Sequence, residues 1–297
     1  MLHWAENLLC SLGPTSFDAS RIVFWALDEG AQSTLLSKGR ATYRDPSLFA
    51  TSTNENYRGD TRAYRRMMKE RPKFFIQILA AGYDILMLDA DTIFWQSPLL
   101  LLPHMEDGSN SNVDAIFSTD AREFYETHNA FLDVRRRGSL IPPVCNGIFW
   151  MRSSNMTVAL WSDMLDVFNA PWPLGWFRRR WFQDDQRGMD VLLNDGRARL
   201  VGPLPHGISR EMLPGSQDGR KQMLGVMLLD QTLVVNGHLL KNRLDVYEEN
   251  VARFRGEGKE RVAAHFNWDT TEATKEEGSK EMGMFFLDKK GHCTLGG

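Results

Sequence analysis

Residues 85–88 (ILML) form an unbroken apolar run that ends on Asp89-Ala90-Asp91. Bounded by polar residues, the run reads as a strand buried on both faces, as in a parallel α/β sheet. Strand period is two, so Asp89 and Asp91 share a side if the chain stays extended. Just upstream, residues 61–81 give a long amphipathic helix carrying Met67, Met68, Phe74, Phe75, Ile78 and Leu79. Gly82 is its stop, and Pro72 marks a kink or a boundary between two helices. Residues 2–12 place Leu2, Ala5, Leu8, Leu9 and Leu12 on one helical face, closed by Gly13-Pro14. Residues 21–27 (RIVFWAL) read as a buried strand. The chain thus opens helix first. A doubly wound sheet begins with a strand before that helix, so the order reads as a missing first strand and a truncation.

Residues 31–38 suggest a short helix, and 40–60 are polar and turn-rich, with Arg58-Gly59-Asp60 read as chance. Further strands are expected at 114–118, within 142–152, at 199–201 and at 232–235. Amphipathic helices are expected at 154–169 and from 183 to 193, on either side of a Trp/Pro/Arg loop. A charged helix precedes His265. From residue 263 the tail is polar, apart from Met284-Phe285-Phe286-Leu287.

At 297 residues, 42% hydrophobic and 25% charged, the chain can bury a large core. A formal charge of −3 argues against a global basic field for nucleic acid. The runs Arg135-Arg136-Arg137 and Arg178-Arg179-Arg180 read as solvated faces. Cys10, Cys145 and Cys293 show no zinc spacing and no disulfide framework. No apolar run reaches transmembrane length, and the N-terminus lacks a signal pattern. Two settings fit: the cytosol, or the secretory pathway with any anchor lying outside this chain. The sequon Asn155-Met156-Thr157 permits the second.

Two adjacent carboxylates repel unless a positive charge sits between them, and a divalent cation supplies it. Ligands of open α/β sheets also bind beyond the carboxyl ends of the strands, where Asp89 and Asp91 fall. The alternative is a pair of solvated acids in a turn. His265 reads either as a structural histidine or as a further ligand, and imidazole with carboxylates suits manganese better than magnesium. Lys280 reads as a point charge for a phosphate or as an ordinary surface lysine. Asp184-Asp185-Gln186 reads as a helix cap or as groups reaching sugar hydroxyls. Asn146-Gly147 offers a small polar group where the chain can approach a ligand closely. Trp172, Trp176 and Trp181 read as a stacking wall or as packing.

In order, the blocks GYDILMLDADTIFWQSP, DAIFSTD, PPVCNGIFWMRSS, QDDQ and HFNW resemble the nucleotide-diphospho-sugar transferases. The nearest group is the retaining one holding plant rhamnogalacturonan xylosyltransferases and extensin arabinosyltransferases. The resemblance runs from about residue 4 to residue 268. It implies a GT-A-type α/β fold, with a Rossmann-like, mostly parallel sheet flanked by helices. It also implies a UDP-sugar donor, a glycan or glycoprotein acceptor, Mn2+ (or Mg2+), and the Golgi lumen as the setting. The whole of 1–297 would be one catalytic domain, with a donor and metal half over 1–110 and an acceptor half over 111–297. By position, Asp89 and Asp91 would be the metal-binding DXD pair and His265 the third ligand. Lys73 would contact the donor. Asn146, Gly147, Asp185 and Gln186 would line the donor sugar and the acceptor entrance, and Lys280, or Lys275 instead, would face the diphosphate. Asp91, Asp185 and Gln186 are the residues assigned to catalysis.

Two other readings stand beside this one. A haloacid-dehalogenase-type phosphohydrolase also ends a buried strand in Asp-x-Asp-Thr, with Asp89 as nucleophile and Asp91 as acid/base. The NG, DDQ and HFNW blocks have no role in it. The third reading is a non-catalytic sugar-nucleotide-binding protein.

Overall fold

The structure, a computed structural model, describes residues 2–45, 61–103, 112–126, 141–169, 184–209, 211, 223–267 and 272–295. The two arginine runs, Arg58-Gly59-Asp60 and the three loop tryptophans lie outside the described residues. Helix α1 (Leu2–Leu12), strand β1 (Val23–Trp25), helix α2 (Glu29–Ser37) and strand β2 (Ala41–Tyr43) come first. They are followed by α3 (Thr61–Ala80), β3 (Ile85–Leu88), β4 (Thr92–Phe94) and β5 (Ala115–Thr119). Next come β6 (Val144–Met151), α4 (Asn155–Asn169), α5 (Asp185–Leu192), β7 (Ala198–Leu200) and β8 (Leu224–Leu228). The chain continues through β9 (Val234–Asn236), α6 (Gly237–Asn242), α7 (Leu244–Gly256), β10 (Ala263–His265) and α8 (Glu272–Glu281).

The central sheet has the order β3-β6-β5-β8-β7. Strand β6 is buried along its length and alternates between two cores. Phe149 and Met151 face α3, α4 and α5, where they join Phe75, Leu79, Trp161 and Met189. Ile148 and Trp150 face the opposite way, onto Leu8 and Leu12 of α1 and onto Phe94 and Ala263. Both faces are therefore covered, as the apolar runs imply. β8 pairs in parallel with β5 and β7, while β6 runs antiparallel to β3 and β5.

One expectation needs correcting. Strand β3 lies at the sheet edge, antiparallel to β6, and only Ile85 of its four residues is fully buried. Ile85 and Met87 pack on one core and Leu86 and Leu88 on the other, so both faces are apolar while one edge is unpaired within this sheet. A second sheet, β4-β10-β9, stands beyond it, and β1 and β2 form a separate parallel pair. Phe74 of α3 ties that pair to the body, stacking on Trp25 and Tyr43 at 5.4 and 4.9 Å.

Helix α3 passes through Pro72 without a break, so the proline is neither a boundary nor a stop. It ends on Gly82 at φ 89°, where the amides of Gly82 and Tyr83 donate to the carbonyls of Leu79 and Ile78. These are the two crossed bonds of a Schellman cap, which a left-handed glycine permits.

Helix α1 is buried on more than the one face its leucines define, since Trp4, Asn7 and Ser11 are buried too. Ser11 Oγ accepts the amide of Phe94 at 3.0 Å. Asn7 donates to the carbonyl of Met284 and accepts the amide of Phe286, fastening the tail to the helix. Cys10 and Cys293 are disulfide-bonded, with Cα atoms 5.3 Å apart. The sequence reading found no disulfide, because a separation of 283 residues leaves no local spacing pattern.

Candidate active site

Asp89 and Asp91 sit where the chain leaves one sheet for another. The Asp89 amide donates to the carbonyl of Gly147 at 2.7 Å, keeping it in register with β6. Two residues later the Asp91 carbonyl accepts the amide of Phe266 at 2.9 Å, just past β10. His265 ends β10 opposite Thr92 and Asn236, which brings its ring to both carboxylates. Its Nε2 lies 3.5 Å from Asp89 Oδ2 and 3.3 Å from Asp91 Oδ1. Donor atoms of all three residues fall within 4.8 Å of one another.

Beside this cluster lies a bulge in β6. Register against β5 jumps between Phe117–Phe149 and Ser118–Cys145, so three residues of β6, 146–148, are left without partners on β5. Each of their carbonyls still finds a donor: Arg71 Nη2 for Asn146 at 2.8 Å, the Asp89 amide for Gly147, and Ser118 Oγ for Ile148 at 3.0 Å. Gly147 lines the imidazole slot. A Cβ there would sit 2.1 Å from His265 Cε1 and 2.6 Å from Asp89 Oδ2. The Asn146 side chain is buried, and among the described residues neither atom of its amide makes a hydrogen bond of normal geometry. A buried polar pair of this kind is expected to have a partner, and a ligand would supply one.

Asp184 and Asp185 have different surroundings. Asp184 is the N-cap of α5, accepting the Arg187 amide at 2.8 Å. Asp185 is buried against Arg71, whose Nη1 is 3.2 Å from Asp185 Oδ2 while Nη2 is 3.7 Å from Asp89 Oδ1. Gln186 donates to Asp120 Oδ2 at 2.7 Å, and Asn267 donates to Asp120 Oδ1 at 2.9 Å.

Burial opposes charge on Asp91, but the hydrogen bond and charge of His265, with Lys275, outweigh it and hold the pKa well below the usual range. Burial likewise opposes charge on His265, and Cys145 and the two carboxylates outweigh it, raising its pKa. For Asp185 burial dominates over Arg71, and the pKa rises. Asp120 is pushed up to about 7, mainly by burial.

Two lysines expected at the site lie elsewhere. Lys73 is exposed and pairs with Glu70 at 2.8 Å, because it projects from α3 away from the stripe of Arg71, Phe75 and Leu79. Lys280 is exposed, pairs with Glu276 and sits 4.9 Å from the ring centre of Phe285. Beside the carboxylates stand Arg71, with Nη2 3.7 Å from Asp89 Oδ1, and the buried Lys275, the alternative named with Lys280, which pairs with Asp91. Helical spacing carried the signal. Arg71 shares its stripe with Phe75 and Leu79, and Lys275 stands one turn from the fully buried Ser279. Asp120 was also missed, although it follows β5 directly, a strand-end position like that of Asp89.

A protein family described as nucleotide-diphospho-sugar transferase matches residues 18–278. The chain belongs to that family. Membership sets aside the phosphohydrolase reading of Asp89-Ala90-Asp91. Among solved structures, the crystal structure of mouse xyloside xylosyltransferase 1 in its apo form is similar at 14% identity and a TM-score of 0.46. That alignment covers 90% of this chain and 92% of the other. No curated protein sequence matches.

Proposed function

We propose that this transferase moves a sugar from a UDP-sugar to a hydroxyl of a glycan or glycoprotein, with a divalent cation and with retention at the anomeric carbon. The convergence of Asp89, Asp91 and His265 beside Lys275 carries the reading. Two carboxylates and one imidazole suit Mn2+, with Mg2+ as the harder alternative. The glycine that admits the ring, and a buried Asn146 amide that makes no hydrogen bond of normal geometry among the described residues, fit a site built around an ion and a polar ligand. When bound, the ion would add positive charge where the departing diphosphate gains negative charge.

The remaining work falls to the chain. The Lys275 ammonium, already at Asp91, offers a second positive charge to the leaving group. Arg71 fixes Asp185 and the bulge carbonyl of Asn146 at once, so carboxylate and backbone keep one geometry. Asp185 then offsets positive charge developing on the sugar ring. Asp120, held between Gln186 and Asn267, presents an oriented carboxyl to sugar hydroxyls. In a retaining reaction on the leaving-group face, the departing phosphate takes the acceptor proton, and no dedicated base is required. The same reading treats 1–297 as one catalytic domain. It also places the protein in the Golgi lumen, with the disulfide and the sequon as support for an oxidising compartment. Among the described residues, no helix is long and apolar enough to cross a membrane.

The test is donor turnover. The protein is incubated with Mn2+ and a panel of UDP-sugars, and UDP release is measured with D91N as control. Release that D91N abolishes is the expected result. Metal-dependent UDP binding without release from any donor would leave the non-catalytic alternative standing instead.

A further inference from the structure

A histidine that holds a metal through one ring nitrogen commonly donates from the other to a carboxylate, a backbone carbonyl or water, which fixes tautomer and ring orientation. Among the described residues no carboxylate or backbone carbonyl is within hydrogen-bond reach of His265 Nδ1. Its Nδ1 faces the thiol of Cys145 at 3.3 Å, and both residues are buried. The thiol is itself held: Asn267 Nδ2 lies 3.7 Å from Cys145 Sγ, and Asn267 Oδ1 accepts the Gly237 amide at 3.1 Å. Cys145 is the last residue of β6 in register before the bulge, opposite Ser118.

We propose that Cys145 is the positioning residue for His265, accepting its Nδ1–H so that the Nε2 lone pair points at the space between Asp89 and Asp91. The inference rests on the metal reading above and names the group that orients the third ligand. Four residues define the slot. Gly147 leaves room for the ring, Cys145 holds Nδ1, and the carboxylates face Nε2. Sulfur is a weak acceptor, so little of the fixation comes from bond strength. It comes from burial, since a ring turned about its axis would take Nδ1–H from the thiol and leave a buried donor without it.

The discriminating variants are C145A, which removes the acceptor, and C145S, which keeps one in nearly the same place. Mn2+ affinity is measured without donor or acceptor by electron paramagnetic resonance, with thermal melts as a folding control. Orientation by the thiol predicts that C145A weakens Mn2+ binding about 10-fold or more. C145S should remain within about threefold of the parent, and the two variants should melt within a few degrees of each other. A purely packing role predicts that C145A and C145S bind Mn2+ alike, and that result overturns the proposal while leaving the metal site standing. If the parent protein binds no Mn2+ at all, both the metal reading and the proposal fall.

Discussion

Lys275 Nζ pairs with the carboxylate of Asp91, 184 residues earlier, and both side chains are buried. The lysine brings α8 to the aspartate pair, where the charge of Asp91 would otherwise rest on His265 alone. Removing one partner of a buried ion pair costs about 3–5 kcal/mol when the other charge is left uncompensated. His265 remains here, so a smaller loss of about 1–3 kcal/mol is expected for K275M. Mn2+ should restore much of the melting temperature, because an ion takes over the neutralising role. UDP affinity, measured by calorimetry with Mn2+ present, should still fall about 10-fold or more. Unchanged UDP binding would remove Lys275 from the donor site.

Gly147 allows the imidazole its place. In G147A the new Cβ meets His265 and Asp89 at distances no real contact allows, so ring or strand must shift. Overpacking of this kind costs about 1–3 kcal/mol. Chemical denaturation should show that loss, and Mn2+ binding should fall with it. Full metal affinity in G147A would mean that the ring has room elsewhere.

Asp190 latches α5 onto the first residue of β6, accepting the Val144 amide at 2.8 Å, while Asn194, just past α5, bonds both the amide and the carbonyl of Ile141. Burial pushes the Asp190 pKa up to about 8, with Asp120 and Asp184 adding to it and the Val144 amide and Arg187 opposing it. A carboxyl raised this way binds its proton more tightly folded than unfolded. Its contribution to stability is complete below about pH 4 and drains away as pH climbs towards about 8. D190N keeps an acceptor for Val144 without the titration. Melts from pH 5 to 8 should therefore fall less steeply for D190N, with a relative gain on the order of 1 kcal/mol at the alkaline end. Parallel curves would show that Asp190 is not the group responsible.

The disulfide closes nearly the whole chain into a loop. Removing a native disulfide typically costs about 2–4 kcal/mol. C10S/C293S should melt below the parent in oxidising buffer and match it once the parent is reduced. No gap between oxidised and reduced parent would argue that Asn7 and the tail's own packing suffice.

Much of the architecture was legible because burial and periodicity speak the same language. The strand within 142–152, the Gly82 cap and the Asp184 cap all follow from local chemistry. Edges do not. The run 85–88 reports two apolar faces, and nothing in it says which neighbours pair with it or in which direction, so an antiparallel edge strand read like one from a parallel sheet. The site divides similarly. Asp89, Asp91, His265, Asn146 and Gly147 come together in the fold as the motif order implies. Lys73 and Lys280 were chosen by charge and position along the chain, with Lys275 as the alternative to Lys280, whereas the face of the helix selects Arg71 and, of the two lysines, Lys275. The Cys10–Cys293 bond was beyond reach, since only the tertiary fold brings its ends together.

The placement of the aspartates has a mechanical consequence. Asp89 is laced to the central sheet through Gly147, and Asp91 to the smaller sheet through Phe266. Anything that grips both carboxylates at once acts as a rivet across the seam between two sheets. Sliding of one sheet on the other would then alter grip strength, and filling the rivet hole would stiffen the seam on both sides.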